Sequence, residues 1–488
     1  MSTTTTTAAP KSSATAIVIG SGLAGLSASS QLLHHSIPVH LLERSPKPGG
    51  NSMKASSGIN GAPTPYQHLI FPNEAADTAF YADTIKSAGP VLLNSRKSER
   101  EKMIETLTGQ SRGAVEWLVE EMGVDLSVVA RLGGHSVART HRGAGRTPPG
   151  AAIVSTLLGK LKANPGFRLE TGCTVVRVLK EKDVVVGVEY VSKEEGGAEE
   201  VKVLHGPVVF ATGGFAGDAN GMLALYRPDL KGYPSTNDAK PGSQKLLTDV
   251  GAQVLDMEMV QVHPTAFVDP KDVNNPVKFL AAEMLRGEGG LMIDAQGRRF
   301  VDEMLTRKVV TDAVTALPEM AGEGDGPRMW DVMIVLDESV YEKAKSHVDF
   351  YLWKGLMRKT TISDLGAGAG ALESIKSFSA AASGKIVDPF GRSSFGHWNL
   401  VDPIPESVVY VGRVTPAVHF TMGGVVINER AEVLAVGDKN IEGLWAAGEV
   451  TGGVHGENRL GGSSLLECVV FGRTAGDEVA RSLSVVKP

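Results

Sequence analysis

The chain opens its ordered pattern with four apolar residues, Ala16–Ile19, followed by Gly20-Ser-Gly22-Leu-Ala-Gly25 and a helical stretch ending near His35. A second apolar run, Val39–Leu42, ends at Glu43. This predicts strand, tight turn, helix and strand within about 30 residues. Residues 74–123 are mostly helical in pattern, with Trp117, Leu118, Val119 and Met122 at helical spacing. From Phe167 to Val209 the pattern turns to strands: Cys173–Leu179, Val184–Val191, Val201–Leu204 and Val208–Ala211. Between 256 and 418 it predicts helices alternating with irregular loops. Within that region, residues 366–385 are biased toward Gly, Ala and Ser and read as a mobile surface connection. Gly443–Ala446 reads as a strand entering a Gly-rich loop, and a final helix covers about Ser464–Ala480.

Composition narrows the class. The 488 residues include 57 Gly without a G-X-Y period, which excludes collagen. Net charge is −6 and there is no strong polybasic run, so nucleic acid is not expected as a partner. No apolar stretch reaches a membrane span. The 2 Cys, Cys173 and Cys468, are too few for an iron–sulfur cluster, and no C-x-x-C-H attaches a haem. So few Cys fits a reducing compartment. Residues 1–14 (MSTTTTTAAPKSSA) lack the apolar core of a signal peptide and read as a disordered tail on a cytoplasmic protein, with an atypical organellar leader as the alternative. No metal-ligand cluster stands out.

The chemistry begins at the first turn. G-x-G-x-x-G after a strand and before a helix, with an acid about 20 residues on, marks a dinucleotide site. Gly20 makes the turn, Gly22 lets backbone approach a pyrophosphate, and Gly25 lets helix and strand pack closely. The helix N-terminus offers free N–H donors to the anion. Glu43 accepts from ribose hydroxyls and would repel a 2′-phosphate, which disfavours NADP. Further Gly-rich segments follow at Gly49-Gly50-Asn51-Ser52, Ser56-Ser57-Gly58-Ile59-Asn60, Ala211-Thr212-Gly213-Gly214 and Ala446-Ala-Gly448-Glu449. That many strand-end loops suits a cofactor longer than NAD, namely FAD.

Seven motifs carry a resemblance. They are Ala16–Gly50, Gly133-Gly-His-Ser-Val-Ala-Arg-Thr140, Gln261-Val-His-Pro-Thr265, Ala281-Ala-Glu-Met-Leu-Arg-Gly287, Gly297-Arg-Arg-Phe-Val-Asp-Glu-Met-Leu-Thr-Arg307, Val418-His-Phe-Thr-Met-Gly-Gly424 and Asn458-Arg-Leu-Gly-Gly-Ser-Ser-Leu-Leu-Glu467. In this order, over about 15–480, the chain resembles the flavoprotein fumarate reductases, in particular the soluble fungal type. The resemblance implies an α/β fold, with a Rossmann-like FAD-binding domain (15–255 and 419–488) and an inserted α+β clamp domain (256–418). It adds Ser21, Ala24, Arg44, Val175, Arg459, Gly462, Ser464 and Leu465 to the residues expected to touch FAD.

The resemblance also implies the site. Fumarate would lie between the domains, held by Arg459 at one carboxylate and by His263 and His419 at the other. Planar Arg forks and His donors suit two carboxylates. Hydride from the reduced flavin would reach one alkene carbon, and Arg307 would protonate the other. A guanidinium is a poor acid, so a relay must return its proton at once. Glu283 and Arg286, at i and i+3, are the implied relay, on one face if helical. The remaining ten His read as structural, His135 beside Gly133-Gly134 being the least settled.

Three departures matter. Members of membrane complexes attach FAD to a His after Gly49-Gly50. Here the stretch is Asn51-Ser52-Met53-Lys54, so FAD is expected to be noncovalent. Ala282 stands where bacterial members place a Thr before the relay Glu. Residues 237–245 carry Gly242-Ser-Gln instead of a Gly-Asp-Gly loop, which bears on the ADP side of the flavin. With no internal redox wire, the donor is expected to be a diffusing reductant such as reduced free flavin. The alternatives are a reductase of another α,β-unsaturated acid (urocanate or acrylate), a 3-ketosteroid dehydrogenase, and a catalytically dead flavin-binding protein.

Overall fold

A computed structural model describes residues 15–485 except 71–75, 94, 146, 194–198, 321–325 and 369. The expected tail at 1–14 lies outside the described residues.

The first sheet grows from the opening turn. Ala16–Ile19, Val39–Glu43, Phe167–Thr171, Val208–Phe210 and Asn440–Ala446 run parallel, in the spatial order Phe167–Thr171, Val39–Glu43, Ala16–Ile19, Val208–Phe210, Asn440–Ala446. The chain order reverses between Ala16–Ile19 and Val208–Phe210, and ligands bind at such a switch point, beyond the carboxyl ends of the strands. Four expected loops open at that edge, after Ile19, Glu43, Phe210 and Ala446. Ala16–Ile19, Val39–Glu43 and Val208–Phe210 are buried along their whole length, and the first and last of them read as unbroken apolar runs. A meander of Cys173–Glu181, Val184–Lys193 and Glu199–His205 extends the sheet.

The helix Leu23–His34 packs on the C-terminal helix Ser463–Val485, and small residues set their approach. A Cβ at Gly472 would lie 2.6 Å from Ala24 O, and one at Gly476 would lie 2.7 Å from Gln31 Cβ.

The region 256–418 departs from its expected pattern. It holds a mostly antiparallel six-stranded sheet of Val260–Phe267, Phe279–Leu280, Leu291–Asp294, Val332–Leu336, Arg358–Thr361 and Val408–Thr421. Val332–Leu336 (VMIVL) and Leu291–Asp294 are wholly buried. Their runs therefore lack the polar alternation that marks a strand with one wet face. A second correction concerns residues 366–385. Gly370–Ala382 is a helix, with Ala371, Ile375 and Phe378 packed into a second hydrophobic core. Those positions follow helical spacing, and Ala is the best helix former. The small residues favoured packing over mobility.

Two long strands link the cores. Val260–Phe267 pairs antiparallel with Val408–Thr421; Phe267 and Val409–Val411 lie in the second core, while Val260 and Val418 at the other end pack in a smaller cluster with Phe215 and Met257. Their register shifts twice. Gln261 faces Phe420 while Val262 faces Val418, so His419 is an extra, bulged residue. A second shift falls between His263 and Ala266. Bulges re-aim side chains beside functional sites, and here each flanks a His of interest.

Phe378→Ala should cost about 3–5 kcal/mol if this helix is core. A urea midpoint shift worth under about 1 kcal/mol would instead fit a loose connection.

Candidate functional site

The nucleotide end is built on sterics. Gly20 has φ +100°, and a Cβ there would lie 2.3 Å from Ala211 O. A Cβ on Gly25 would lie 1.9 Å from Gly20 O. At Gly22 the nearest atom to such a Cβ is Ser52 Oγ at 3.5 Å, so this face of the turn is open. Gly22 caps the Leu23–His34 helix without a side-chain acceptor, and Ser52 Oγ takes only the Leu23 N–H, at 3.0 Å. An open helix N-terminus with no acid in its first turn is suited to a pyrophosphate. Glu43 is buried at the end of its strand. Its Oε2 accepts from Ser21 N (2.9 Å) and Ser21 Oγ (2.6 Å), and its Oε1 from Ser45 N (2.7 Å). The second oxygen keeps capacity for a ribose hydroxyl.

The other expected flavin contacts gather around the same edge. Gly50 lies against Gly22, and Asn51 donates to Asn237. Ser56 and Ser57 are buried, and Ser56 Oγ has no partner. Gly58 and Gly462 have positive φ and touch backbone or Asn60 closely enough to exclude a Cβ. Ile59 lies in the short strand Ile59–Asn60. Gly448 packs on Ala24 and Cys468, and Ser464 and Leu465 begin the last helix. Val175 is different: its side chain faces the main core. The unusual loop at 237–245 is firmly tied to these strand ends. Lys240 Nζ donates to Ser45 Oγ (2.7 Å), Arg44 Nη1 to Pro241 O (3.0 Å), and Ser243 meets Thr212. Gln244 Nε2 lies 3.5 Å from Gly213 O. The residues present therefore fit a dinucleotide with a long extension. Glu449 is half-buried; its Oε1 accepts Thr421 N–H (2.9 Å), and desolvation pushes its carboxyl up to about 7.

The charged end is assembled from distant segments. Arg307, at the start of the Arg307–Thr315 helix, donates from Nε to Glu283 Oε2 at 2.6 Å. Its Nη1 donates to Gln261 Oε1 at 2.9 Å. Arg459 Nη2 donates to that same oxygen at 3.0 Å, and its guanidinium lies 4.3 Å over the Phe420 ring. Gln261 Nε2 in turn donates to Arg459 O (2.8 Å) and Asn458 Oδ1 (3.2 Å). Gln261 was not among the expected site residues. Its signal was its place two residues before His263 on one strand.

Arg286 and Glu283 lie together as expected, but on a single turn, Met284–Gly287, with Glu283 at its cap. Arg286 Nη2 is 3.8 Å from Glu283 Oε1, an ion pair without a hydrogen bond. Arg286 Nη1 donates to Glu303 O at 2.6 Å, while Nε and Nη2 are buried without partners. The same Oε1 of Glu283 accepts Gly133 N–H at 3.1 Å. Ala282 is buried and its N–H donates to Tyr351 OH at 3.3 Å.

The two His rings meet edge to face, 5.3 Å apart. His263 Nδ1 lies 2.9 Å from Thr265 O and 3.2 Å from Thr265 N, and its Nε2 is buried without a partner. His419 Nδ1 is 2.8 Å from Thr236 Oγ1. Burial, then the Arg307 charge, holds both imidazoles well below their ordinary range, so both are neutral. Burial alone would raise Glu283, but Arg307 and Arg286 outweigh it and hold the carboxyl low. Arg459 is pushed down to about 9 by burial and by Arg307. Arg307, Arg286 and Arg459 thus gather around Glu283, with Glu449 and Glu467 also acting on Arg459 and Glu303 on Arg286. Arg286 Nε and Nη2 and Arg459 Nε are left as buried donors without partners, which suits an anionic ligand.

Comparison with known proteins agrees with this geometry. The model of the FAD binding domain family matches residues 15–465. Fumarate reductase 1 of Saccharomyces cerevisiae is 43% identical over 481 residues, covering 95% of this chain and 98% of that protein. Fumarate reductase of Schizosaccharomyces pombe is 39% identical, covering 96% of this chain and 90% of that protein. Among solved structures, the open conformation of a flavocytochrome c3 fumarate reductase superposes with a TM-score of 0.73 at 32% identity, over 97% of this chain and 79% of that one. A 3-ketosteroid dehydrogenase from Rhodococcus jostii, at 21% identity and a TM-score of 0.64, shares the fold. On the opening fingerprint, the buried cationic site and these matches, the chain belongs to the family of FAD-binding flavoprotein fumarate reductases.

Proposed function

We propose that this protein reduces fumarate to succinate with noncovalently bound FAD. The observation that carries the reading is a cluster of Arg donors around Gln261 and Glu283 that keeps Arg459 Nε and Arg286 Nε and Nη2 without partners, with two imidazoles at the other end: two anchoring ends suit a diacid. Reduced FAD, when bound, supplies the hydride. The parallel-sheet body would hold it, and the region 256–418 would act as a clamp that excludes water as it closes.

Each residue then has a task. Arg459 grips one carboxylate, and His419 and His263 hold the other. Binding a carboxylate selects the His419 tautomer with Nε2–H, in which Nδ1 accepts from the Thr236 hydroxyl, whereas His263 gives its Nδ1–H to the Thr265 carbonyl and turns Nε2 toward the site. Arg307 releases a proton to the substrate carbon beside the one that receives hydride. Glu283, hydrogen-bonded to Arg307 Nε, returns a proton, and Arg286 resupplies Glu283. Fixed cations also stabilise the negative charge that develops on the substrate, commonly the largest catalytic term. Electrons come from a diffusing reductant such as reduced free flavin, in the cytoplasm. A 3-ketosteroid dehydrogenase shares the fold, but a cluster of Arg and His, with no Tyr at its centre among the described residues, favours a diacid.

Reduced viologen should be reoxidised on adding fumarate, and failure to do so removes this reading. Arg307→Ala should lose turnover by more than about 1000-fold while the protein stays yellow; near-normal turnover would exclude Arg307 as the proton donor. Heat or trichloroacetic acid should release all flavin colour, whereas colour left on the denatured chain would show a covalent bond. Because both His are neutral, the KM for fumarate should stay within about twofold from pH 6.5 to 8.5. A His titrating at its ordinary value would bind the dianion better when protonated, and KM would then climb as pH rises through that range.

A further inference from the structure

The motif Gly133–Thr140 holds a residue that the scheme above leaves unused. His135 is buried, 3% exposed, between two fixed partners. Arg139 Nη1 lies 2.8 Å from its Nδ1, and Gly461 O lies 3.0 Å from its Nε2. Arginine is only a donor, so Nδ1 must be the bare, accepting nitrogen. The proton is therefore on Nε2, which donates to the Gly461 carbonyl. One tautomer is fixed by geometry alone. Burial and the Arg139 charge keep the ring neutral, with its pKa held at about 4.

Both ends of this link are anchored. Arg139 is wholly buried. It binds Asp77 through Nε (2.7 Å) and Nη2 (3.0 Å), and Asp83 through Nη1 (2.6 Å). Gly461 O also accepts from Asn60 Nδ2 at 2.8 Å. Gly461 itself is wedged against the charged site: a Cβ there would lie 2.8 Å from Glu283 Oε2 and 3.3 Å from Arg307 Nη2. Arg459 is two residues earlier in the same loop.

We propose that His135 is a positioning residue: its Nε2–H holds the Gly461 carbonyl and so fixes the loop that presents Arg459 to the substrate. This rests on the assignment of Arg459 as the carboxylate anchor. His135 touches neither substrate nor cofactor, and its effect passes through the loop. Fumarate binding should suffer more than the chemical step, because the Arg307–Glu283 contact keeps its other partner, Gln261.

Two substitutions separate this from a plain structural role. The amide of Gln places its nitrogen near the Nε2 position of His, and the amide of Asn places its oxygen near the Nδ1 position. His135→Gln keeps the bond to Gly461 and His135→Asn keeps the bond to Arg139. In the FAD-loaded enzyme, with reduced viologen as donor, Asn should raise the fumarate KM roughly tenfold with kcat changed by less than about threefold. Gln should stay within about twofold of the unsubstituted protein. Any result in which Gln does not hold KM closer to that of the unsubstituted protein than Asn does overturns the proposal, including equal rescue by both. Calorimetric succinate affinity of the same two variants gives the same comparison without turnover. If the unsubstituted protein fails to reduce fumarate, the functional reading falls, while the order of succinate affinities still decides the role of His135.

Discussion

Two guanidinium groups in the interior share one amide oxygen. Arg307 and Arg459 both donate to Gln261 Oε1, and like charges this close in a medium of low dielectric repel strongly. Much of the local structure can be understood as support for that arrangement. Glu283 binds Arg307 from the other side, the Phe420 face lies under Arg459, and Gln261 returns hydrogen bonds to the Arg459 loop. The cost of burying these charges falls when an anion of matching charge enters. Specificity and stability of the site are thus two aspects of one electrostatic constraint.

The fold supplies the rigidity that such a constraint demands. The two long paired strands carry Gln261 and His263 on one side and His419 and Phe420 on the other. Their bulges turn the imidazoles together without breaking the sheet. The Arg459 loop belongs instead to the segment before the last helix, and its glycines allow it to lie against Asn60 and Glu283 where no Cβ would fit. A site made from segments some 200 residues apart therefore depends on close backbone packing more than on any one element.

The nucleotide end was readable from the chain because its signals are local. Gly20, Gly22, Gly25 and Glu43 stand at spacings that a single strand–turn–helix unit requires, and the structure gives that unit the bounds Ala16–Ile19, Leu23–His34 and Val39–Glu43. The second sheet was not readable. Strands such as Val332–Leu336 are buried on both faces, so period-two alternation is absent and short apolar runs do not distinguish strand from helix. The Gly370–Ala382 helix is masked by its Gly, Ala and Ser content, although Ala371, Ile375 and Phe378 stand at helical spacing. Gln261 and His135 were hidden for another reason. A Gln between two Arg, or a His whose tautomer is set by an Arg, takes its meaning from contacts made only in three dimensions.

The central claim is that the unpartnered Arg donors and paired imidazoles around Gln261 select a dianion. It is tested most directly by comparing kcat/KM for fumarate with that for monomethyl fumarate, which keeps the alkene and one carboxylate but loses one charge. The account predicts a loss of at least about 100-fold, the scale of a buried charge-assisted contact left unmade. Comparable values for the two substrates would contradict it.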